Sequence, residues 1–142
     1  MPLDAYAVLA FLRDEAGADE VATLLRGGPT AMAAANVAEV VDQLVRVDRR
    51  DPDDVHADLG LLSYAGVDIL PVTVDDGLAA GRLRARHYHR ERCAVSLADC
   101  IAAATALARR TPLATADPAL AAVVRGEGGE VHPLAGSRGV EP

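Results

Sequence analysis

The chain has no lysine and no tryptophan; all 14 of its basic residues are arginine. Without lysine there is no Walker A phosphate loop, no Schiff-base catalyst and no receiver-type lysine beside an acidic pocket. Aromatic residues make up 3% of the chain: Tyr6, Phe11, Tyr64 and Tyr88. So few aromatics exclude an extended base-stacking platform and leave the core to Ala, Val and Leu. The two cysteines, Cys93 and Cys100, fall seven apart with no CxxC spacing. They suit neither a metal nor a redox site, and Cys100 reads as a buried thiol. No stretch approaches the roughly 18 uncharged apolar residues of a membrane helix. Asp4 interrupts the apolar start, and no basic leader precedes it. The expectation is a soluble cytoplasmic protein. Its net charge of −7 repels nucleic acid on average, unless basic groups cluster or a metal intervenes.

What is present is a chain of 142 residues, 51% hydrophobic, enough for one domain with a real core. Residues 1–4 read as a short strand, followed by a helix from Ala5 to about Leu12. A second helix spans Ala18 to Arg26 and is closed by Gly27. "TAMA" reads as a strand, and residues 34–47 as a helix with Val37, Val40, Val41 and Leu44 on one face. Asp51 and Pro52 open the next helix with Asp53 and Asp54 in its first turn, and Gly66 stops it. "VDILPV" is a strand. A capping box at Thr73 and Asp76 starts another helix. "SLADCIAAATALARR" is a helix, "PLATA" a buried strand, "DPALAAVVRG" a short helix opened by Pro118, and "EVHPL" a final strand. Strand and helix alternate, so the class is α/β with a mainly parallel sheet. The reading gives one domain over 1–134 and a disordered tail over 135–142, with no repeat or linker.

Four acids stand in otherwise apolar segments: Asp4 in "MPLDAYAVLAFL", Glu39 in "ANVAEVVDQLV", Asp99 in "AVSLADCIAAATALA" and Asp117 in "PLATADPAL". Each also has an ordinary reading. Asp4 and Asp117 can simply cap the helices that follow them. Asp99 closes a capping box with Ser96. Glu39 can be a solvent-facing acid, although Asn36 lies near it at i−3 on the same face. Taken together the acids say more. Sites in parallel sheets form beyond the carboxyl ends of the strands. Asp4 and Asp117 sit at such junctions, Asp99 in a first helical turn, and Glu39 about a turn and a half into its helix. Carboxylates converging there would repel: a pair at ~4 Å costs about 4 kcal/mol at an effective dielectric near 20. Protonation or a divalent cation relieves this. Oxygen ligands without His or Cys suit Mg²⁺ or Mn²⁺, ions that serve phosphoryl chemistry.

The order and spacing of "LDAYAVLAFLRDE", "NVAEVVDQL", "SLADCIAAATALA" and "PLATAD" resemble the PIN domain, in particular the VapC-type toxin ribonucleases of bacterial toxin–antitoxin pairs. The resemblance covers residues 1 to about 134. It implies an α/β/α sandwich and a Mg²⁺- or Mn²⁺-dependent endoribonuclease that hydrolyses phosphodiester bonds in structured RNA. Its acids carry over to Asp4, Glu39, Asp99 and Asp117, both as catalytic residues and as metal ligands. Asp4, Glu39 and Asp99 would hold metal directly or through water, and Asp117 would complete a second site or orient the attacking water. Thr115 matches a hydroxyl position beside the site; Asn36 and Ser96 would support the acids. Two positions depart from the family. Tyr6 stands where Ser or Thr often follows the first acid, and Ala33 where a serine often caps the "NVAEV" helix. The resemblance also implies a VapB-type antitoxin partner and a homodimer, with no membrane association. An antitoxin segment is expected along an apolar groove lined by the 5–12 and 34–47 helices, with an arginine near Asp4, Glu39 and Asp99.

The segment "RLRARHYHRER" offers a surface for RNA phosphates through Arg82, Arg84, Arg86, Arg90 and Arg92. Its ordinary reading is a solvated helix end where arginine suits the negative dipole. His87 and His89 read as surface residues. Two other functions compete. An aspartate-dependent phosphatase would want a second acid just after Asp4 and a phosphate-holding lysine; both are missing. A PIN-like RNA- or protein-binding module without catalysis would have no need to keep metal affinity.

Overall fold

Pro2 and Leu3 lie at the middle of the sheet. In this computed structural model, which describes residues 1–136, their backbone bonds to a strand on each side. Leu3 N donates to Ala31 O at 2.8 Å, and Ala114 N donates to Pro2 O at 3.0 Å. The strand expected over 1–4 is thus reduced to two bridging residues. Pro2 has no N–H to give to the ladder, and Asp4 already belongs to the cap of the next helix.

From there the chain runs α1 (Ala5–Leu12), α2 (Ala18–Gly27), β1 (Thr30–Ala33), α3 (Ala34–Asp42) and a π-helical turn (Gln43–Val47). It continues α4 (Pro52–Tyr64), β2 (Val67–Leu70), α5 (Val74–His87), α6 (Leu97–Arg109), β3 (Leu113–Thr115), α7 (Pro118–Gly126) and β4 (Val131–Pro133). β1 pairs in parallel with β2, and β3 in parallel with β4. Through Pro2 and Leu3 the two pairs join in the order β2–β1–(2–3)–β3–β4, all parallel. The chain winds outward to one side of its own N-terminal segment and then outward to the other. The reversal falls between Leu3 and β3, the place where a doubly wound sheet opens a crevice at its carboxyl edge.

Local signals explain most helix starts. Asp51 accepts from Asp53 N at 2.8 Å with Pro52 at the first helical position. Thr73 with Asp76, and Ser96 with Asp99, form complete capping boxes. α4 ends where Gly66 takes φ 109, a left-handed conformation that glycine adopts without steric cost. α2 and α3 are the exceptions: their N-caps, Gly17 and Ala33, make no side-chain bond. The helix expected over 34–47 is continuous but loosens to π-helical pitch after Asp42.

Two apolar clusters form the core. Leu3, Val8, Leu9, Val21, Met32, Val40, Leu44, Val55 and Ala114 build one; Leu83, Val95, Cys100, Leu113, Leu120 and Val123 are in the other. Leu113 and Ala114 are neighbours in β3 yet enter different clusters, as side-chain alternation across a sheet requires. Helices therefore cover both faces, giving the α/β/α sandwich. Burying each Val or Leu stabilises by about 1.5–3 kcal/mol, so these residues hold the fold rather than the many alanines. Among the described residues no helix is long and apolar enough to cross a membrane. Apart from Ala135 and Gly136, the tail expected over 135–142 lies outside the described residues.

Candidate functional site

Asp4 leaves the central segment at the carboxyl edge and is fully buried. Oδ1 caps α1 by accepting from Ala7 N at 2.7 Å, so the cap expected of it is real. Oδ2 accepts a hydrogen bond from the Thr115 hydroxyl at the end of β3. Thr115 Oγ1 in turn accepts from Asp117 N at 3.0 Å. This sets the direction of the chain of bonds: Asp117 N–H to Thr115, then Thr115 O–H to Asp4. Burial pushes the Asp4 carboxyl up to about 7; the bonds from Thr115 and Ala7 oppose this, while the charges of Asp99 and Asp117 add to it.

The other acids approach from three helices. Asp99 is 7% exposed and accepts from Ser96 N through Oδ2 at 2.7 Å, while Ser96 Oγ accepts from Asp99 N at 3.0 Å. Burial raises its pKa, the Ser96 bonds lower it, and Asp117 raises it. Asp117 caps α7 through Oδ1, which accepts from Ala119 N at 2.8 Å and Leu120 N at 3.4 Å. Glu39 is half-buried on α3 and is also raised, by burial first and then by Asp99, Asp117 and Asp42. Asn36, fully buried one turn earlier, donates through Nδ2 to Ala98 O at 3.1 Å. That bond ties the helix of Glu39 to the first turn that carries Asp99.

The fold therefore brings all four acids into electrostatic range at the topological reversal. It does not close them into a ligand set: among the described residues no three Asp, Glu, His or Cys side chains stand close enough to hold a metal ion. The caps explain why. Asp4, Asp99 and Asp117 each turn an oxygen toward a helix N-terminus. Even so, the donors fit a hard divalent cation. All are oxygens, their charges repel, and two buried acceptors, Glu39 Oε2 and Asn36 Oδ1, have no hydrogen-bond partner among the described residues.

Tyr6, in sequence a departure from a small hydroxyl residue, adds to the site. Its ring is 49% exposed, and its hydroxyl pKa is raised by burial and then by Asp117, Asp99, Glu39 and Asp4. It thus borders the whole cluster. The signal in the sequence was its place two residues after Asp4. The arginines divide. Arg84 donates to Val95 O at 3.0 Å and stacks 4.2 Å from the Tyr88 ring centre. Arg86 pairs with Glu127 at 2.9 Å, as does His87 at 2.7 Å. Arg90 lies 3.8 Å from Glu91 in an exposed pair, and Arg82 and Arg92 are exposed without an ion pair among the described residues.

Solved structures share this architecture. A chain of a toxin–antitoxin complex from Klebsiella pneumoniae superposes with a TM-score of 0.63 at 20% identity, over 88% of this chain and 92% of that one. A chain of VapBC2 from Rickettsia felis, bound to a DNA fragment from its promoter, gives 0.67 at 14% identity, over 94% and 97%. A chain of FitAB bound to an IR36 DNA fragment gives 0.63 at 18% identity, over 100% and 99%. At these identities the likeness is one of fold. No curated protein matches the sequence. The sequence pattern of the PIN domain does match, over residues 1–126. That span holds all four acids and every element but the last strand, and the chain belongs to the PIN domain family.

Proposed function

We propose that this protein is a divalent-cation-dependent endoribonuclease and the toxin of a VapBC-type pair, acting in the cytoplasm through a domain of residues 1–134. The observation that carries the reading is the meeting of Asp4, Glu39, Asp99 and Asp117 at the carboxyl edge, with the first three raised by burial first and each also by the charge of Asp117. Asp4, Glu39 and Asp99 would hold Mg²⁺ or Mn²⁺. Such an ion supplies polarisation of a phosphoryl oxygen and a more acidic water. The chain's own residues do the rest. Thr115 fixes the Asp4 carboxylate, Ser96 fixes Asp99, and Asp117 keeps Oδ2 outside its cap, where it can orient water. Arg82, Arg90 and Arg92 remain for RNA phosphates, since Arg84 is bonded to Val95 O and the exposed Arg86 is paired with Glu127. The expected result is RNA cleavage that requires Mg²⁺ or Mn²⁺, stops with EDTA, and is lost in Asp4→Asn and Asp99→Asn. Cleavage that survives EDTA or both substitutions rejects the reading.

One observation favours the alternative, a binding module without catalysis: the acids are not gathered as a ligand set. Isothermal titration separates the two, because a module of that kind should bind neither ion.

The solved neighbours named for toxin–antitoxin complexes support an antitoxin partner. A mainly apolar groove of about 380 Å³ is lined by Phe11 and Leu12 of α1, Leu25 of α2, and Asp58, Leu61 and Leu62 of α4, with Ala65 just beyond it. This lining supports a seat for the antitoxin segment against α4 rather than α3. An antitoxin arginine would then reach the acids as a fork that meets carboxylates. Replacing that peptide's arginines with alanine should abolish inhibition in a cleavage assay. A homodimer is part of the same reading, with exposed Val74, Leu78 and Leu97 available to a second copy; size-exclusion chromatography tests it.

A further inference from the structure

Asn36 is the chain's only asparagine, it is fully buried, and its side chain is half satisfied. Ala98 O can only accept a hydrogen bond, so the atom facing it at 3.1 Å must be the NH₂ group. The other atom is then the carbonyl oxygen, which is buried with no partner among the described residues. A buried unpaired acceptor costs about 1–3 kcal/mol. Glu39 Oε2, one turn along the same helix, is the second such acceptor. Asn36 thus shares a helix with Glu39 and is bonded to the turn that carries Asp99. Two orphan acceptors cannot satisfy each other; both call for a positive or proton-bearing guest.

We propose that Asn36 Oδ1 belongs to the oxygen set that receives the divalent cation, directly or through one of the cation's waters, and that the bond to Ala98 O holds the amide in the orientation that offers oxygen. The inference rests on the reading of the cleft as a cation site. A neutral amide oxygen adds a hard donor without adding charge to a cluster that already repels. Asn36 is therefore a positioning residue for Glu39 and Asp99 as well as a donor.

The composition supplies the test. Asn36 and Gln43 are the only carboxamide side chains in the protein, so ¹⁵N-labelled full-length chain shows two carboxamide NH₂ pairs. On titration with Mg²⁺ the Asn36 pair should shift saturably while the Gln43 pair stays, as an internal control. Calorimetry of Asn36→Leu, nearly isosteric, should give Mg²⁺ affinity roughly tenfold or more weaker than wild type, with the circular dichroism spectrum retained. If that variant does not fold, the wild-type spectrum alone decides. An Asn36 pair that ignores saturating Mg²⁺, or one that moves only on acidification because Oδ1 pairs with a protonated Glu39, overturns the proposal. So does a folded Asn36→Leu with unchanged affinity. Calorimetry of Asp4→Asn keeps the two claims apart. If Mg²⁺ binds wild type but not this variant while the Asn36 pair stays still, only the role of Asn36 falls. If wild type binds no Mg²⁺, the cation site falls with it.

Discussion

Asp4 concentrates the chemistry of single residues. Its carboxyl titrates near 3.8 in an unfolded chain and at about 7 in the fold, chiefly because burial penalises the charged form. Between those values the native protein keeps a proton that the unfolded chain has lost. Stability therefore falls as pH rises through the window and levels off above it. Glu39 and Asp99 are raised as well and add the same sign. Urea midpoints of the metal-free protein should decline from pH ~4 to ~7, and Asp4→Asn should flatten the decline. Because a cation favours the charged carboxylate, Mg²⁺ should shrink the decline and bind more tightly as pH rises. The acid itself was legible as a lone charge in an apolar run. Its raised pKa was not, since the walls that bury it come from residues as distant in sequence as Thr115.

At the scale of elements, signals confined to a few neighbours were legible. The capping boxes at Thr73 and Ser96 and the Pro-led starts of α4 and α7 fall where the sequence places them. Strand lengths were not, because a partner sets them. β2 stops at Leu70, short of the expected Val72, where its register partner β1 ends at Ala33. Two substitutions test element energetics by chemical denaturation. Ala33→Ser should give α3 the side-chain cap it lacks and stabilise by about 1 kcal/mol. Gly129→Ala should destabilise by roughly 1–3 kcal/mol, because a Cβ there would meet Leu107 Cδ2 at 2.6 Å and Val124 Cγ1 at 2.8 Å.

For the whole molecule the balance is between folding and acid repulsion. The sheet reversal places four carboxylates together in a protein whose net charge of −7 includes them. A cation at a hundredfold excess over its dissociation constant should stabilise by about 2.7 kcal/mol, read as a rise in melting temperature. NaCl at matched ionic strength should do much less, since salt screens buried charges poorly. Asp99→Asn weighs the two roles of one residue. It relieves repulsion yet weakens the capping box, so metal-free stability equal to wild type or higher marks repulsion as dominant. A loss near 1 kcal/mol, with no metal response in wild type, marks Asp99 as a cap alone.

The sequence by itself determined the α/β class, the helix starts and the four acids worth watching, because caps and apolar periodicity act over a few residues of backbone. It also pointed to a metal through ligand chemistry, which depends on residue type. Only the tertiary structure decided how those acids relate. Asn36 reaches Ala98 across 62 positions and Thr115 reaches Asp4 across 111, distances in sequence over which no local pattern holds information. The arginine segment shows the same division: its charge was plain in the sequence, but the partners that occupy Arg84 and Arg86 come from other elements, and Glu127 meets Arg86 only once α5 and α7 are packed.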